Sequence, residues 1–240
     1  MVSQLTPARP RRVGHKGAAH IERGNTLASF DAALECGVDM IELDVLSEHP
    51  RGSGQLFVAH DHDDLRSRPR VPLQDALDHL SGAAFERVEL DVDIKLPGYE
   101  LRVLDALRER DLVARSLVSG MFPSALARIR AEEPGLRLGW SVPRVRRDYT
   151  TDMLTAVPAL AILTGYRAML PRRAREALLE GRYDAIMAHW RVVTRALLRA
   201  VREGGGLLYV WTVDDARMIT KLTDMGVDGI ITNDPRLFSQ

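Results

Sequence analysis

Cysteine is almost absent from this chain, with one residue, Cys36, in 240. A lone cysteine excludes an internal disulfide and a cysteine-built metal centre. It falls within an apolar helical pattern and is expected to be a small buried hydrophobe. Net charge is absent as well: 33 Lys and Arg stand against 33 Asp and Glu. No positive surplus therefore argues for nucleic acid or an acidic membrane surface as partner. No apolar run approaches the roughly 20 residues of a membrane span. The opening MVSQLTPARPRRVGH has no apolar core ahead of its arginines, so it does not read as a secretory leader. No linker, low-complexity stretch or repeat divides the chain. The expectation is a soluble, cytoplasmic protein with a single domain over residues 1–240, and a hydrophobic fraction of 45% suffices for a full core.

What is present is concentrated between Asp39 and Asp61, DMIELDVLSEHPRGSGQLFVAHD. Met40, Glu42 and Asp44 alternate with Ile41, Leu43 and Val45. A strand projects alternate side chains to opposite faces, so one face carries two carboxylates and the other is apolar. Burying bare carboxylates is costly unless a partner neutralises them. With His60 close behind, the pair suggests a divalent cation beside an acid/base; the plainer alternative is a strand end facing water. The segment Leu56 to Ala59 follows Val45 too closely for a helical crossover, so it reads as half of a hairpin.

Taken in order, the chain alternates strands and helices. A strand at Val13–Gly14 runs to His15, and a helix over Thr26–Glu35 follows, capped by Asn25-Thr26. After the hairpin come a basic loop to Arg70, a helix at Pro72–Leu80 and the strand Val88–Lys95, VELDVDIK. There Glu89, Asp91, Asp93 and Lys95 share one face, which makes sense only if that face looks into a polar interior. Glu89 and Asp91 lie deeper than Asp93 and need inward arginines, unless the register drifts. Helices at Glu100–Arg110 and Pro123–Glu132 alternate with strands at Ser116–Ser119 and Leu136–Val142. Between Pro143 and Arg182 only a helix at Pro171–Leu179 is clear. The remainder reads as strand Asp184–Ala188, helix Val192–Arg202, strand Leu207–Val213, helix Asp214–Met225 and strand Gly229–Thr232. Eight strands alternating with helices predict an α/β fold, a single (β/α)8 TIM-type barrel with a short β-hairpin after strand 2.

In such a barrel, function gathers at the carboxyl ends of the strands. His15, Glu42, Asp44, Asp93, Lys95 and Trp211 all fall there, with His60 hanging from the hairpin. Oxygen ligands suit a hard cation such as Mg²⁺ or Ca²⁺. A cation and Lys95 could neutralise a phosphate while two imidazoles serve as base and acid. No serine or cysteine is paired with a base, so a covalent enzyme intermediate is not expected. The attacking group is then water or a hydroxyl of the substrate itself.

The segments HKGAAHIERGNTLASFDAALECGVDMIELDV, FVAHD, DIK, VWTVDD and GVDGIITNDP resemble the glycerophosphodiester phosphodiesterase family in order and spacing. The resemblance implies a barrel and a phosphoric diester hydrolase that releases glycerol 3-phosphate and an alcohol. It implies His15 and His60 as the acid/base pair and Glu42, Asp44 and Asp93 as ligands of one divalent cation, Mg²⁺ or Ca²⁺. Lys95, Lys16 and Trp211 are then the residues at the substrate phosphate, although Trp211 could equally pack the barrel. The partner implied is a small phosphodiester.

Several positions depart from the family pattern. Lys16 stands where HRG has Arg, which replaces a bidentate fork with a point charge. Gly24 stands where PENT has Glu, with Glu22 two residues earlier. Asp93 replaces a Glu, as in the related spider-venom phospholipases D. Asn233 replaces the Asp of TD.P, and the loop after His60 is short. These departures keep two alternatives open: phospholipase D-like cleavage of lysophospholipids, and a barrel that binds phosphodiesters without turnover. Of the other residues, His20 and His62 lie beside the motifs and line either the pocket or the surface. His49, His79 and His189 read as structural or exposed, and Trp140 and Trp190 as core. Arg144, Arg146 and Arg147 read as a solvated loop or as contacts to an anionic substrate.

Overall fold

A computed structural model describes residues 9–143 and 153–239, with side chains described outside 144–162. The loop arginines Arg144, Arg146 and Arg147 lie outside the described residues. The strands are β1 (Arg11–Gly14), β2 (Met40–Ser47), β3 (Leu56–Val58), β4 (Glu89–Ile94) and β5 (Ser116–Gly120), then β6 (Arg137–Val142), β7 (Ala185–His189), β8 (Leu207–Trp211) and β9 (Gly229–Thr232). The helices are α1 (Leu27–Glu35), α2 (His62–Ser67), α3 (Leu73–Leu80), α4 (Glu100–Arg108), α5 (Pro123–Glu132), α6 (Met153–Leu179), α7 (Arg195–Glu203) and α8 (Ala216–Met225). The sheet runs β1-β9-β8-β7-β6-β5-β4-β2-β3, and β1 also pairs with β2, so the eight strands other than β3 close on themselves. Every pairing within that ring is parallel, while β3 lies antiparallel on β2. The expected barrel and hairpin are both present.

Strand parity divides the core in two. Outward residues such as Ile41, Leu43, Leu90, Val92, Val118 and Ile186 pack under the helices. Inward residues Val13, Met40, Leu117, Ala185, Met187, Tyr209 and Ile231 form a separate apolar plug inside the barrel. The interior is narrow. A side chain at Gly229 would meet the Tyr209 ring at 2.2 Å, so only glycine lets the strands close there. Above and below the plug the same parity presents charge: Glu42, Asp44, Asp91 and Asp93 toward the mouth, Arg11, Glu89 and Arg137 toward the base.

Inward arginines stand beside Glu89, while Asp91 is buried against the Ser119 hydroxyl. Arg11 Nη2 donates to Glu89 Oε1 at 3.0 Å and Arg137 Nη1 to Glu89 Oε2 at 3.2 Å. The register did not drift.

Four expectations need correcting. The loop expected between His60 and Arg70 contains α2, capped by Asp61, whose side chain accepts from the Asp64 N–H at 2.8 Å. Its polar sequence has only Leu65 to bury, so no apolar stripe announces it. Cys36 is half-buried at the end of α1, because its position is the cap rather than the packed face. Trp140 and Trp190 are likewise half-buried, packed against the outer core from the rim. Helix α6 begins well before the expected Pro171.

Candidate active site

The turn after β1 builds one side of the mouth. Lys16 and Asn25 both take left-handed backbone angles, with φ of 53° and 60°, a conformation side chains other than glycine hold only when their surroundings impose it. The imposing bonds are clear. The Lys16 N–H donates to Glu42 Oε2 at 2.7 Å, while the Lys16 carbonyl accepts from the Asn25 N–H at 2.9 Å and the Ser29 hydroxyl at 2.8 Å. Asn25 was expected to share in capping α1, yet Thr26 alone does so, in a capping box with Ser29. Asn25 is buried and clamps Asp44 instead, its amide donating to Oδ2 at 2.7 Å and its carbonyl accepting the Asp44 N–H at 3.1 Å. Arg68, just past α2, ties this turn to the hairpin by donating to the carbonyls of Gly24, Asn25 and Val58.

At Gly24, where the family pattern has Glu, the space for a side chain is tight in this chain. A Cβ at Gly24 would lie 2.9 Å from Lys16 Cβ and 3.0 Å from Ala19 Cβ. The lysine side chain runs through the space that a larger residue at 24 would need. Glu22 is exposed and does not stand in.

The carboxylates converge because β2 and β4 are in register, Glu42 beside Asp91 and Asp44 beside Asp93. Glu42, Asp44 and Asp93 each offer an oxygen within 4.8 Å of the others. Lys95, one residue past β4, lies 2.5 Å from Asp44 Oδ1 and donates to Asp93 Oδ2 at 2.6 Å. The first contact is an ion pair without hydrogen-bond alignment, since Asp44 Oδ1 has no hydrogen-bond partner. Lys16 Nζ stands 3.7 Å from Asp44 Oδ2. Burial pulls the Lys95 ammonium down, but the carboxylates of Asp44, Asp93 and Glu42 outweigh it and hold its proton well above the ordinary range. Burial likewise opposes Asp44, yet Lys95 and Lys16 keep it ionised well below the usual carboxylate range. Glu42 goes the other way: burial and the charge of Asp44 raise it well above an ordinary glutamate. Beneath them, burial lifts Asp91 to about 7 against the pull of the Ser119 hydroxyl.

This donor set fits a hard cation. Asp93 Oδ1 and Asp44 Oδ1 are buried without hydrogen-bond partners, and all candidate donors are oxygens.

The two histidines approach from different elements with opposite support. His15, past β1, shares its Nδ1 with Asn233 Oδ1 at 2.7 Å. The Asn233 amide is oriented by donating to Asp214 Oδ2 at 2.7 Å, so Oδ1 must accept and His15 Nδ1 carries the proton. That leaves His15 Nε2 as a lone pair, 3.8 Å from Glu42 Oε2. Burial and the charge of Lys16 lower His15 to about 4. His60 is tethered by Ala59, whose N–H donates to the Asp44 carbonyl at 3.1 Å. Its Nδ1 donates to Asp61 Oδ2 at 3.0 Å. The Asp61 carboxylate lies below its usual range, held there by the Asp64 N–H and by His60.

The opposite wall comes from β7 and β8. Trp211 packs against the interior plug, and its indole N–H donates to the Met187 carbonyl at 2.8 Å. His189 shares the inward parity of Ala185 and Met187, and its ring meets Trp211 edge-on at 5.2 Å. Its expected structural or exposed role is therefore incomplete, for it faces the mouth. Among the other histidines, His62 bonds the Ser47 carbonyl at 3.1 Å and His79 pairs with Asp31 at 2.7 Å, while His20 and His49 are exposed. Asn25 was legible only as a cap; a buried Asn with positive φ beside the Asp44 strand is its true signal.

A sequence model described as the glycerophosphoryl diester phosphodiesterase family matches residues 15–68 and 97–237. The match passes over the segment holding Asp93 and Lys95, which the register with β2 brings to the same cluster. A protein of Caldanaerobacter subterraneus named glycerophosphodiester phosphodiesterase is 23% identical, covering 93% of this chain and 93% of its own. Among solved structures, a glycerophosphodiester phosphodiesterase from Parabacteroides distasonis superposes with TM-score 0.71 at 18% identity, covering 96% of this chain and 98% of that one. An Oleispira antarctica phosphodiesterase, solved with the product sn-glycerol-3-phosphate, gives TM-score 0.68 at 16% identity over 96% of each chain. With its barrel, its HKG and VWT segments and the match along most of its length, this chain belongs to the glycerophosphoryl diester phosphodiesterase family.

Proposed function

We propose that this protein is a metal-dependent hydrolase that cleaves glycerophosphodiesters to glycerol 3-phosphate and an alcohol, on a single barrel domain spanning 1–240, in the cytoplasm. The observation that carries this reading is the buried oxygen cluster of Glu42, Asp44 and Asp93 with His15 Nε2 3.8 Å from Glu42, on the strand to which Ala59, next to His60, is tied. The product in the Oleispira antarctica structure, sn-glycerol-3-phosphate, is the one this reaction requires. No helix among the described residues is long and apolar enough to cross a membrane.

Glu42, Asp44 and Asp93 would hold the cation, Mg²⁺ or Ca²⁺, which when bound supplies positive charge against the phosphate. Lys95 and Lys16 add two ammonium groups to the same side of the phosphorus. His15, donating through Nδ1 to a neutral amide, presents an unprotonated Nε2 and is the base. His60, donating through Nδ1 to the Asp61 carboxylate, turns Nε2 toward the leaving group and is the acid. The attacking hydroxyl gives its proton to His15 Nε2 as its oxygen bonds to phosphorus. The phosphorus–oxygen bond to the alcohol breaks, and that oxygen takes the proton of His60 Nε2.

The hydroxyl of glycerol next to the phosphoester is already within reach, so its attack costs less entropy than capture of a water. A cyclic phosphate would form first and then open by hydrolysis. A substrate lacking only that hydroxyl tests the step, since cleavage at the parent rate would make water the nucleophile. For the reaction itself, release of glycerol 3-phosphate from glycerophosphocholine and glycerophosphoinositol is measured with Mg²⁺ and with chelator. Turnover of lysophosphatidylcholine alone would favour the phospholipase D-like alternative. Binding without turnover of any of these would favour a non-catalytic barrel.

A further inference from the structure

On the hydrolase reading of the site, we infer that the ion pair of Arg68 and Asp64 is a positioning device, holding His60 on one side and the clamp on Asp44 on the other. Arg68 follows α2 and buries its guanidinium, with 2% of the side chain exposed. A charge held that deep is costly unless its donors find acceptors. Here they find four, on two segments far apart in sequence. Nη1 donates to the Gly24 and Asn25 carbonyls, both at 2.9 Å, and Nη2 to the Val58 carbonyl at 3.0 Å and to Asp64 Oδ2 at 2.7 Å.

On the turn side, the bonded carbonyl belongs to Asn25, whose backbone is left-handed and whose side chain bonds Asp44 at both its amide and its carbonyl. Fixing the Asn25 backbone fixes the amide that holds Asp44 Oδ2, so Arg68 supports a candidate ligand at one remove. On the hairpin side the support is Asp64, whose Oδ2 accepts from the His60 N–H at 3.2 Å as well as from Arg68. The His60 side chain is half exposed, so packing does little to hold it. Its ring rests on the Asp61 carboxylate, and that carboxylate is itself fixed by the Asp64 N–H. A misplacement of about 1 Å in such a group can slow a reaction by about 10²-fold. The neighbouring pair on α2, Arg66 with Asp63, is exposed and lies within one helical turn, so it positions nothing.

Calorimetric titration of the substrate-free protein with Mg²⁺ and with Ca²⁺, beside steady-state release of glycerol 3-phosphate from glycerophosphocholine, separates the two sides. Arg68→Lys keeps the charge and loses the planar fork, and should weaken cation binding about tenfold and lower kcat by at least as much. Asp64→Ala removes the acceptor of the His60 N–H. It should lower kcat about tenfold with cation affinity and KM little changed, and Asp64→Asn, which keeps an acceptor oxygen, should recover most of the loss. In a His60→Ala background Asp64→Ala should cost nothing further, because a residue acting through His60 has nothing left to position. Asp63→Ala, in the exposed pair, should change neither readout. Absence of binding of either cation by the unsubstituted protein, or an unchanged affinity in Arg68→Lys, overturns the role of Arg68. A full tenfold loss from Asp64→Ala in the His60→Ala background overturns that of Asp64, and this arm decides if Arg68→Lys does not fold. If the unsubstituted protein cleaves no glycerophosphodiester the hydrolase reading falls, while the cation affinity of Arg68→Lys still decides whether the guanidinium holds the clamp on Asp44.

Discussion

The barrel interior buries charge at two ends. At the base, Glu89 is flanked by Arg11 and Arg137, one guanidinium on each oxygen, and Arg11 also donates to the Tyr209 hydroxyl at 3.0 Å. At the mouth, among the described residues, Glu42, Asp44 and Asp93, with Asp91 beneath, have Lys95 and Lys16 as their nearest cations. The base gives each carboxylate oxygen one guanidinium donor, which is what a structural ion pair needs to offset desolvation. The mouth leaves oxygens of Asp44, Asp91 and Asp93 without hydrogen bonds and crowds like charges together. Unpaired buried oxygens are tolerated where a ligand completes them, so the same residue type serves packing at one end and chemistry at the other.

The sharpest way to break this contrast is a neutral isostere at the mouth. Glu42→Gln keeps the acceptor for the Lys16 N–H while removing a negative oxygen from the cation site. Turnover should fall by roughly 10³-fold, since charge stabilisation at the reacting group is the largest catalytic term. The melting temperature of the metal-free protein should hardly move, because burial already favours the neutral form of Glu42. A variant with near-normal turnover would remove Glu42 from the cation site.

A second substitution set divides the mouth by element. His15→Ala and His60→Ala should each cost about 10²–10³-fold in rate, and each should flatten one limb of a bell-shaped pH profile of kcat/KM. A near-normal His60→Ala would mean that the hairpin does not bring its imidazole to the phosphorus.

At the base the expected result is reversed. Glu89→Gln leaves two guanidinium groups facing a neutral amide. With Glu89 about a quarter exposed, the discounted cost is about 1–2 kcal/mol, a fall of roughly 2–8 °C in melting temperature for a chain of this size. Turnover per folded molecule should be unchanged. Loss of activity at full stability would show that the base communicates with the mouth and would blur the distinction between them.

Much of this division could be read from the chain itself. The alternation of Val88–Lys95 implied a strand with a charged inner face, and Arg11 and Arg137 are the inward arginines that Glu89 called for. Glu42, Asp44, His15 and His60 were legible because period-two spacing and strand ends are local properties. Asn25, Asn233 and His189 were harder for one shared reason: their roles depend on partners far along the chain. Asn25 sits beside a helix start, where capping is the commonest reading of an asparagine, and only the left-handed backbone turns it toward Asp44. Asn233 was visible as a departure, but its part in fixing the His15 tautomer requires Asp214 to be in place. His189 ends a run of small apolar residues, and its direction follows only once Ala185 and Met187 are known to face inward. Helix α2 escaped because one buried leucine makes no periodic stripe.

The gentlest test of the contrast concerns acid and the rim of the base. Asp39 precedes β2 and accepts the Arg9 fork at 2.6 and 2.8 Å and the Arg12 N–H at 2.8 Å. Burial pushes its carboxyl up, but Arg9 and Arg12 prevail and the net position is below the usual range. A carboxylate whose folded value lies below the unfolded one, about 3.9, stabilises the fold when ionised. That contribution is complete above the unfolded value and disappears as pH falls through the folded one. Arg9 is largely exposed, so solvent screening keeps the gain to about 0.5–1 kcal/mol. Asp39→Asn should therefore lower the urea midpoint slightly at pH 6, and the gap from the unsubstituted protein should close as the pH approaches 3. Raising salt to about 1 M, where the Debye length is near 3 Å, should shrink the gap at pH 6 as well. A gap that stays constant with both pH and salt would mean that Asp39 acts through packing, and the base would then owe less to its ion pairs than Glu89 suggests.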